Sequence, residues 1–414
     1  SVKEPKIVPV TEMPWDTNIN RRGFLGTGLL AGTLLTLLGK TSLSSTPALN
    51  SSFYKNFEGN TLNAHCDVIN EISISPDGKL LASASDDNRI KLWSLSDGKL
   101  LEKLKDNAAF NSLAFSPDGT MLVSGSKLKT IKFWSLPNGD LKKTVKKDEI
   151  INYKVLVSHD GKIVAATSID GRVNLWSLPQ GKLLNSFKLG SSPIKNLVLI
   201  TPDSKMLVCC GSFDNTPELW SFPEGNLLKK LEGHSGKVNA LLVSPNGKIL
   251  VSASNDNSIK LWTLPEGNLL KTIKGHFNGV NVLSIGIDGQ ILISGSQDKK
   301  IKLWSFPQGD LLKTLEGHTG EIYSLALTQS GKTLVSISMD MTIKLWSIPE
   351  GLLLHSFSGS FFSAGSLALS PDGKILAIAE VQGKTIRLFN LERKELTGFL
   401  LDKACSETNG VMYD

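Results

Sequence analysis

Residues 233–276 read GHSGKVNALLVSPNGKILVSASNDNSIKLWTLPEGNLLKTIKGH, and the next 42 residues repeat the pattern up to Gly317-His318. The unit holds four short apolar runs, Val238 to Val243, Ile249 to Ala253, Ile259 to Trp262 and Leu269 to Ile273, each about the length of one strand. Polar turns separate them. Ser244-Pro245-Asn246-Gly247 and Leu264-Pro265-Glu266-Gly267 place Pro early and Gly late, as tight reversals favour, and Asn255-Asp256-Asn257 is the turn between the second and third runs. Runs this short, joined this tightly, predict an antiparallel four-stranded meander with no helix.

One such sheet has two apolar faces and cannot bury them alone, but a tandem array covers each sheet with its neighbour. Trp93, Trp134, Trp176, Trp220, Trp262, Trp304 and Trp346 mark the copies at spacings of 41 to 44 residues, and Phe389 stands in the same frame 43 residues further on. Eight units of this length predict an all-β chain, a β-propeller of four-stranded antiparallel blades. Eight blades is the expectation, with seven as the alternative if the unit around Phe389 is left over. Ser52 to Gly59 resembles the fourth run of a unit with no first three of its own. It and Glu392 to Leu401 are two candidates for the strand that completes the last blade.

The repeated residues resemble the WD-repeat β-propeller family. His65, His234, His276 and His318 each precede a Trp (Trp93, Trp262, Trp304, Trp346) by 28 residues, and Asp87, Asp256, Asp298 and Asp340 precede the same Trp by 6. The resemblance covers roughly residues 52–403. It departs in the dipeptide that names the family, which is Trp-Ser or Trp-Thr here. Units two, three, four and eight also lack the His, and Leu128 and Gly383 stand where units two and eight would carry the Asp. The resemblance implies a rigid platform that binds proteins or peptides, with no cofactor.

Residues 1–50 are of another kind. A polar, Pro-containing stretch leads to Arg21-Arg22-Gly23-Phe24-Leu25, an apolar run to Leu38, then Lys40 and Thr46-Pro47-Ala48. The run is shorter than the ~20 residues of a spanning helix. Its order of charge, short apolar core and small residues is that of a signal peptide, and the Arg pair resembles a twin-arginine export signal. The expected layout is therefore a signal and polar segment at 1–50, the propeller at 51–403 and a mobile tail at 404–414. The protein is expected outside the cytoplasm, in the periplasm or an equivalent compartment, touching membrane only through an uncleaved signal. A cytoplasmic or membrane-anchored protein is the alternative.

Net charge is +6, of which residues 1–50 contribute +2. This mild excess, without basic clusters interleaved with aromatics, argues against nucleic acid. Lys142, Lys143, Lys146 and Lys147 fall on an expected outer strand, where Lys blocks sheet-to-sheet association. A Ser-His-Asp set recurs once per well-formed unit, whereas a hydrolytic site needs one copy. His234, Asp256, a Ser of the second run and Trp262 are therefore read as a structural chain running His to Ser to Asp, as are their counterparts in units one, six and seven. Cys66, Cys209, Cys210 and Cys405 show no zinc-ligand spacing. Cys209 and Cys210 should face opposite sides of a strand, and whether Cys66 and Cys405 pair is open. His159 and His355 are expected in solvent. These observations favour a monomeric, non-enzymatic scaffold for a protein or peptide partner, with a propeller enzyme acting at the channel mouth as the alternative. The turns between strands two and three and the links between blades share one face and vary most. Phe277, Met339, Met341, Phe361 and Phe362 are its candidate partner-binding residues.

Overall fold

The apolar runs become strands because each blade of the stack is covered on both faces. In the fifth unit Val238–Val243, Ile249–Ser254, Ser258–Thr263 and Leu269–Lys274 pair in that order, antiparallel throughout. The inner three are almost wholly buried, whereas the outer one exposes Leu269, Leu270 and Lys271. The structure is a computed structural model that describes residues 64–146, 152–168, 170–189, 197–211, 213–358, 364–380 and 384–400. Within them this sheet occurs eight times, from β1 (Ile69–Ile74) to β32 (Glu395–Leu400), and there is no helix. The fold is an all-β propeller of eight four-stranded antiparallel blades.

The turns fix themselves locally. Ser244 Oγ donates to Asn246 Oδ1 (2.7 Å) and accepts from Ile249 N (2.9 Å), and Gly247 takes φ +72°, a conformation open to glycine. Ser75 and Asp77, Ser116 and Asp118, and Ser370 and Asp372 build the same turn in other blades. One face of the ring is accordingly monotonous for reasons of turn geometry. The outer strand Asp140–Lys146 is exposed along most of its length, with Lys142, Lys143 and Lys146 in solvent, as a protected sheet edge requires.

The core lies between blades. Leu242, Val251, Ile259 and Leu261 of blade five pack with Leu283, Ile285, Leu292 and Trp304 of blade six, so each marker Trp is buried against its predecessor. Cys209 belongs to the cluster shared with blade three and Cys210 to that shared with blade five, opposite faces of one sheet.

The eighth blade answers the closure question. β32 pairs with Ile386–Asn390, so the outer strand comes from the stretch after Phe389, and Phe389 is itself 2% exposed in the ring. Ser52 to Gly59 lies outside the described residues. Blades eight and one share a cluster that joins Ala368, Ala377 and Leu388 to Ile72, Leu81 and Trp93. Ile72 N donates to Ser366 Oγ (3.0 Å), as Leu113 N does to Glu71 Oε2 (2.7 Å) and Val155 N to Ser112 Oγ (3.1 Å) at the next two seams. The closing seam is thus built like the others.

Two expectations about histidines are corrected. His159 sits at the blade three–four seam with Nδ1 buried and without a hydrogen-bond partner, and burial lowers its pKa. His355 is half-buried, edge-on to Phe357 at 4.5 Å between ring centroids.

Candidate functional site

The varied face of the ring is held by one hydrogen-bond chain, repeated. In blade five Trp262 Nε1 donates to Ser252 Oγ (2.9 Å), Ser252 Oγ lies 2.8 Å from His234 Nε2, and His234 Nδ1 lies 2.8 Å from Asp256 Oδ2. A hydroxyl that accepts from Trp donates its own proton onward, so Nε2 accepts and the Nδ1 proton goes to the carboxylate. The imidazole in this assignment is neutral. The chain runs Trp to Ser to His to Asp. This corrects the expected order, since His stands between Ser and Asp, and Ser254 instead donates to Gly236 O (2.8 Å). The same chain joins Trp93, Ser83, His65 and Asp87 in blade one. It recurs as Trp304, Ser294, His276 and Asp298 in blade six, and as Trp346, Ser336, His318 and Asp340 in blade seven.

The Asp ties two loops together. Asp256 accepts from Ser235 N (3.0 Å) in the inter-blade link and from Ser258 N (2.9 Å) in its own turn. The link passes so close that a Cβ on Gly236 would lie 2.7 Å from Asp256 N, so this position needs glycine. Burial opposes the charge on Asp256, but hydrogen bonds from Ser258 and His234 outweigh it and hold the pKa at about 2. Asp298 and Asp340 are also held at about 2 against burial, Asp298 chiefly by His276 and Asp340 by Thr342, Thr319 N and His318. Burial lowers His234 and His318, consistent with neutral rings.

Blades without the His solve the problem differently. In blade two Asp106 stands 28 residues before Trp134 and pairs with Lys132 Nζ at 2.9 Å, while Trp134 Nε1 still donates to Ser124 Oγ (2.9 Å). Leu128, at the missing Asp, is 60% exposed. In blade four Trp220 Nε1 donates to Glu218 Oε2 (3.1 Å). Both substitutes could have been found by counting back from the Trp.

On the loop face Phe277 is 84% exposed and Met339 and Met341 are 47% and 39%, with Met341 in a left-handed conformation at φ +62°. Phe361 and Phe362 lie outside the described residues. Phe362 holds the register of Phe277, whereas Phe361 holds that of the network His. Sequence reasoning missed Phe213, 72% exposed, with Lys237 Nζ 5.9 Å from its ring. It stands seven residues before its Trp, as Asp86, Lys127, Asn255, Gln297 and Met339 do. Neighbours at this position meet across seams: Lys127 Nζ to Asp86 Oδ1 at 2.6 Å, and Gln297 Nε2 to Asn255 Oδ1 at 3.3 Å. Asn70, Asn239 and Asn281 each donate to a carbonyl of the next blade, Phe110 O (2.8 Å), Val280 O (3.0 Å) and Ile322 O (3.1 Å).

Residues 58–94, 98–135, 225–263, 267–305 and 309–347 match the WD40 family, described as WD domain, G-beta repeat. Five stretches of the chain are thus similar to WD repeats. A WD repeat-containing protein of Schistosoma mansoni, SL1-17, is 50% identical over 40 residues, which is 10% of this chain and 13% of that protein. The computationally designed Ika8 protein superposes with a TM-score of 0.68 at 26% identity, over 80% of this chain and all of Ika8. The C-terminal WD40 domain of Sif2 does so with a TM-score of 0.67 at 21% identity, over 78% of this chain and 96% of that domain, a likeness of fold. The matched stretches supply the inner strands of blades one, two, five, six and seven. Blade two is among them although it lacks both His and Asp, so strand pattern and Trp register carry the match there.

Proposed function

We propose that this propeller is a non-enzymatic platform that binds a protein or peptide on its loop face, across blades six and seven. The observation that carries the reading is the exposure of Phe277, Met339 and Met341 on loops whose backbones are pinned by Asp298 and Asp340. Exposed aromatic and Met side chains are the usual anchors of protein interfaces. Loops already held by the network lose little freedom on binding. Phe213 on blade four extends the candidate surface along the same face. The stretches similar to WD repeats support a propeller platform and leave the partner to experiment.

The reading places the protein outside the cytoplasm as a monomer, exported by the signal around Arg21 and Arg22, with the propeller as the working domain. Affinity capture from the exported fraction, comparing wild type with a Phe277→Ser, Met339→Ser, Met341→Ser triple variant, tests it. Loss of a captured protein at unchanged melting temperature is expected. Equal capture by the variant would remove these residues from the site, and a collapse in stability would make them core.

A further inference from the structure

We infer that blades one to three carry a second docking patch on the loop face, and that it takes an acidic segment of a protein partner. The inference rests on the reading of that face as a docking surface, and adds the chemistry of what lies beside the apolar arc of blades four to seven. In blade five Ser258, four residues before Trp262, pairs with Lys274, twelve after it. This pair stands where the third strand begins and the fourth ends, at the outer rim of the loop face.

The same register is charged unequally around the ring. Arg89 stands opposite Lys105 in blade one, Thr130 opposite Lys146 in blade two and Arg172 opposite Lys188 in blade three. These three blades thus place five cations and no anion at the register. In blades four to seven the count is even. Lys274 and Lys300 are matched by Glu232 and Glu316, with Lys300 and Glu316 ion-paired at 2.5 Å, and blade seven has Thr342 opposite Ser358. Like charges directly opposite on neighbouring strands destabilise a sheet. Two Arg–Lys pairs in three blades therefore have no explanation in the stability of the fold.

The acids beside these cations are committed elsewhere. Asp86 pairs with Lys127 Nζ at 2.6 Å and Asp106 with Lys132 Nζ at 2.9 Å, while Asp170 takes Arg172 Nε at 3.3 Å. Among the described residues Arg89, Lys105, Lys146 and Lys188 have no ion-pair partner, and the three lysines are exposed. Leu128, 60% exposed in blade two, gives the patch one apolar contact. Residues 147–151, after Lys146, lie outside the described ones and are no part of it. Among the described residues of these blades no aromatic side chain is exposed for a base to stack on, which disfavours nucleic acid. A line of single cations along the curve of the rim suits the carboxylates of an extended Asp- and Glu-rich chain.

The test measures binding of a fluorescein-labelled peptide of alternating Glu and Ser to the full chain by fluorescence anisotropy. A peptide with Gln for Glu, an oligothymidine and phosphatidylserine vesicles are the rival probes. The Glu peptide should bind, the Gln peptide should not, and raising salt from about 50 to about 200 mM should weaken binding. The quadruple variant Arg89→Gln, Lys105→Gln, Lys146→Gln, Lys188→Gln should bind about tenfold more weakly without melting lower, since it relieves two like-charge pairs. Lys230→Gln, Lys271→Gln, Lys274→Gln, Lys313→Gln, which removes four exposed lysines of blades four to six, should bind as wild type does. So should the Phe277→Ser, Met339→Ser, Met341→Ser variant, which separates failure of the apolar site from failure of this patch. No binding of the Glu peptide, equal loss in both quadruple variants, or tighter binding of the oligonucleotide or the vesicles overturns the inference. A lower melting temperature in the first quadruple variant overturns it too, by making those cations structural.

Discussion

Asp256→Ala should destabilise the propeller more than the same change at Asp170, although both Asp precede their Trp by six residues. Asp256 accepts from His234 Nδ1, Ser235 N, Ser258 N and Ser258 Oγ, and its side chain is 9% exposed. Of the two backbone donors, Ser235 is on an exposed link that water can reach, while Ser258 is buried at the start of its strand. The imidazole is different: its side chain is 0% exposed. Removing the carboxylate leaves its buried Nδ1 proton only the longer contact to Ser258 Oγ (3.3 Å), at about 1–3 kcal/mol, and forfeits a charge-assisted loop tie of about 1 kcal/mol. The sum is about 2–4 kcal/mol. Asp170 takes Ser168 Oγ, Arg172 N and Arg172 Nε, has no histidine, and is 25% exposed on its side chain. Water can replace most of those contacts, so its loss should cost about 0.5–1.5 kcal/mol.

Melting entropy scales as about 2.1 cal/mol/K per residue, or about 0.7 kcal/mol/K over the ~330 residues of the ring. Asp256→Ala should then lower the melting temperature by about 3–6 °C and Asp170→Ala by about 1–2 °C, read by calorimetry at pH 7. Equal shifts, or none for Asp256→Ala, would refute the claim that the buried His is what makes the Asp costly. Ser252→Ala separates the halves of the chain, because it strands Trp262 Nε1 and His234 Nε2 while leaving the loop tie intact.

Stability should fall with acid in two stages. Below pH ~6.5 the unfolded chain protonates histidines that the fold keeps neutral, since burial lowers His234 and His318. Below pH ~4 it protonates carboxylates that the fold holds at about 2, so the contribution of Asp256, Asp298 and Asp340 is complete above that range and fades toward pH 2. A melting temperature flat from pH 7 to 3 would contradict both assignments. Changing Arg21 and Arg22 to Lys should leave the protein inside the cell, and fractionation showing wild-type export would remove the twin-arginine reading.

The blade was legible because repetition removes ambiguity. A run such as Ile249 to Ala253 is too short to assign alone, but eight copies in one frame leave only a strand, and Phe389 could be read as the eighth marker from its place. The network residues were legible for the same reason. Their connectivity was not, because spacing places His, Ser and Asp together without saying which stands in the middle. Departures from the repeat were harder still. Asp106 was visible at the histidine register, yet only the fold brings Lys132 to it. His159 looked like a solvated turn residue because the neighbouring blade that buries its Nδ1 comes from 40 residues further along.

What the network does for function follows from what it leaves alone. It consumes the His, the Asp and the backbone of each loop, and it asks nothing of the side chain just before the Asp. That position holds Asp86, Lys127, Phe213, Asn255, Gln297 and Met339 in successive described blades. The chemistry therefore changes around the mouth, from an ion pair through an aromatic ring and two amides to a thioether. The Lys127–Asp86 pair is exposed and contributes little to stability, and the apolar members contribute none by standing in water. Stability accounts for the constant residues of these turns and for Asp86, Asn255 and Gln297, which bond to Asn70, Asn239 and Asn281, and leaves the exposure of Phe213 and Met339 unexplained. The docking surface proposed above would account for those two, as apolar side chains held out on one loop face. The cost of Asp340→Ala should accordingly appear twice, once in the melting temperature and again in weaker capture of the partner, since Met339 and Met341 would then stand on a turn that has lost its anchor. Asp87→Ala, three blades from blade six and two from blade seven, should show the first effect without the second. Equal loss of capture in both variants would mean that the partner senses the whole ring, and the assignment of blades six and seven would fall.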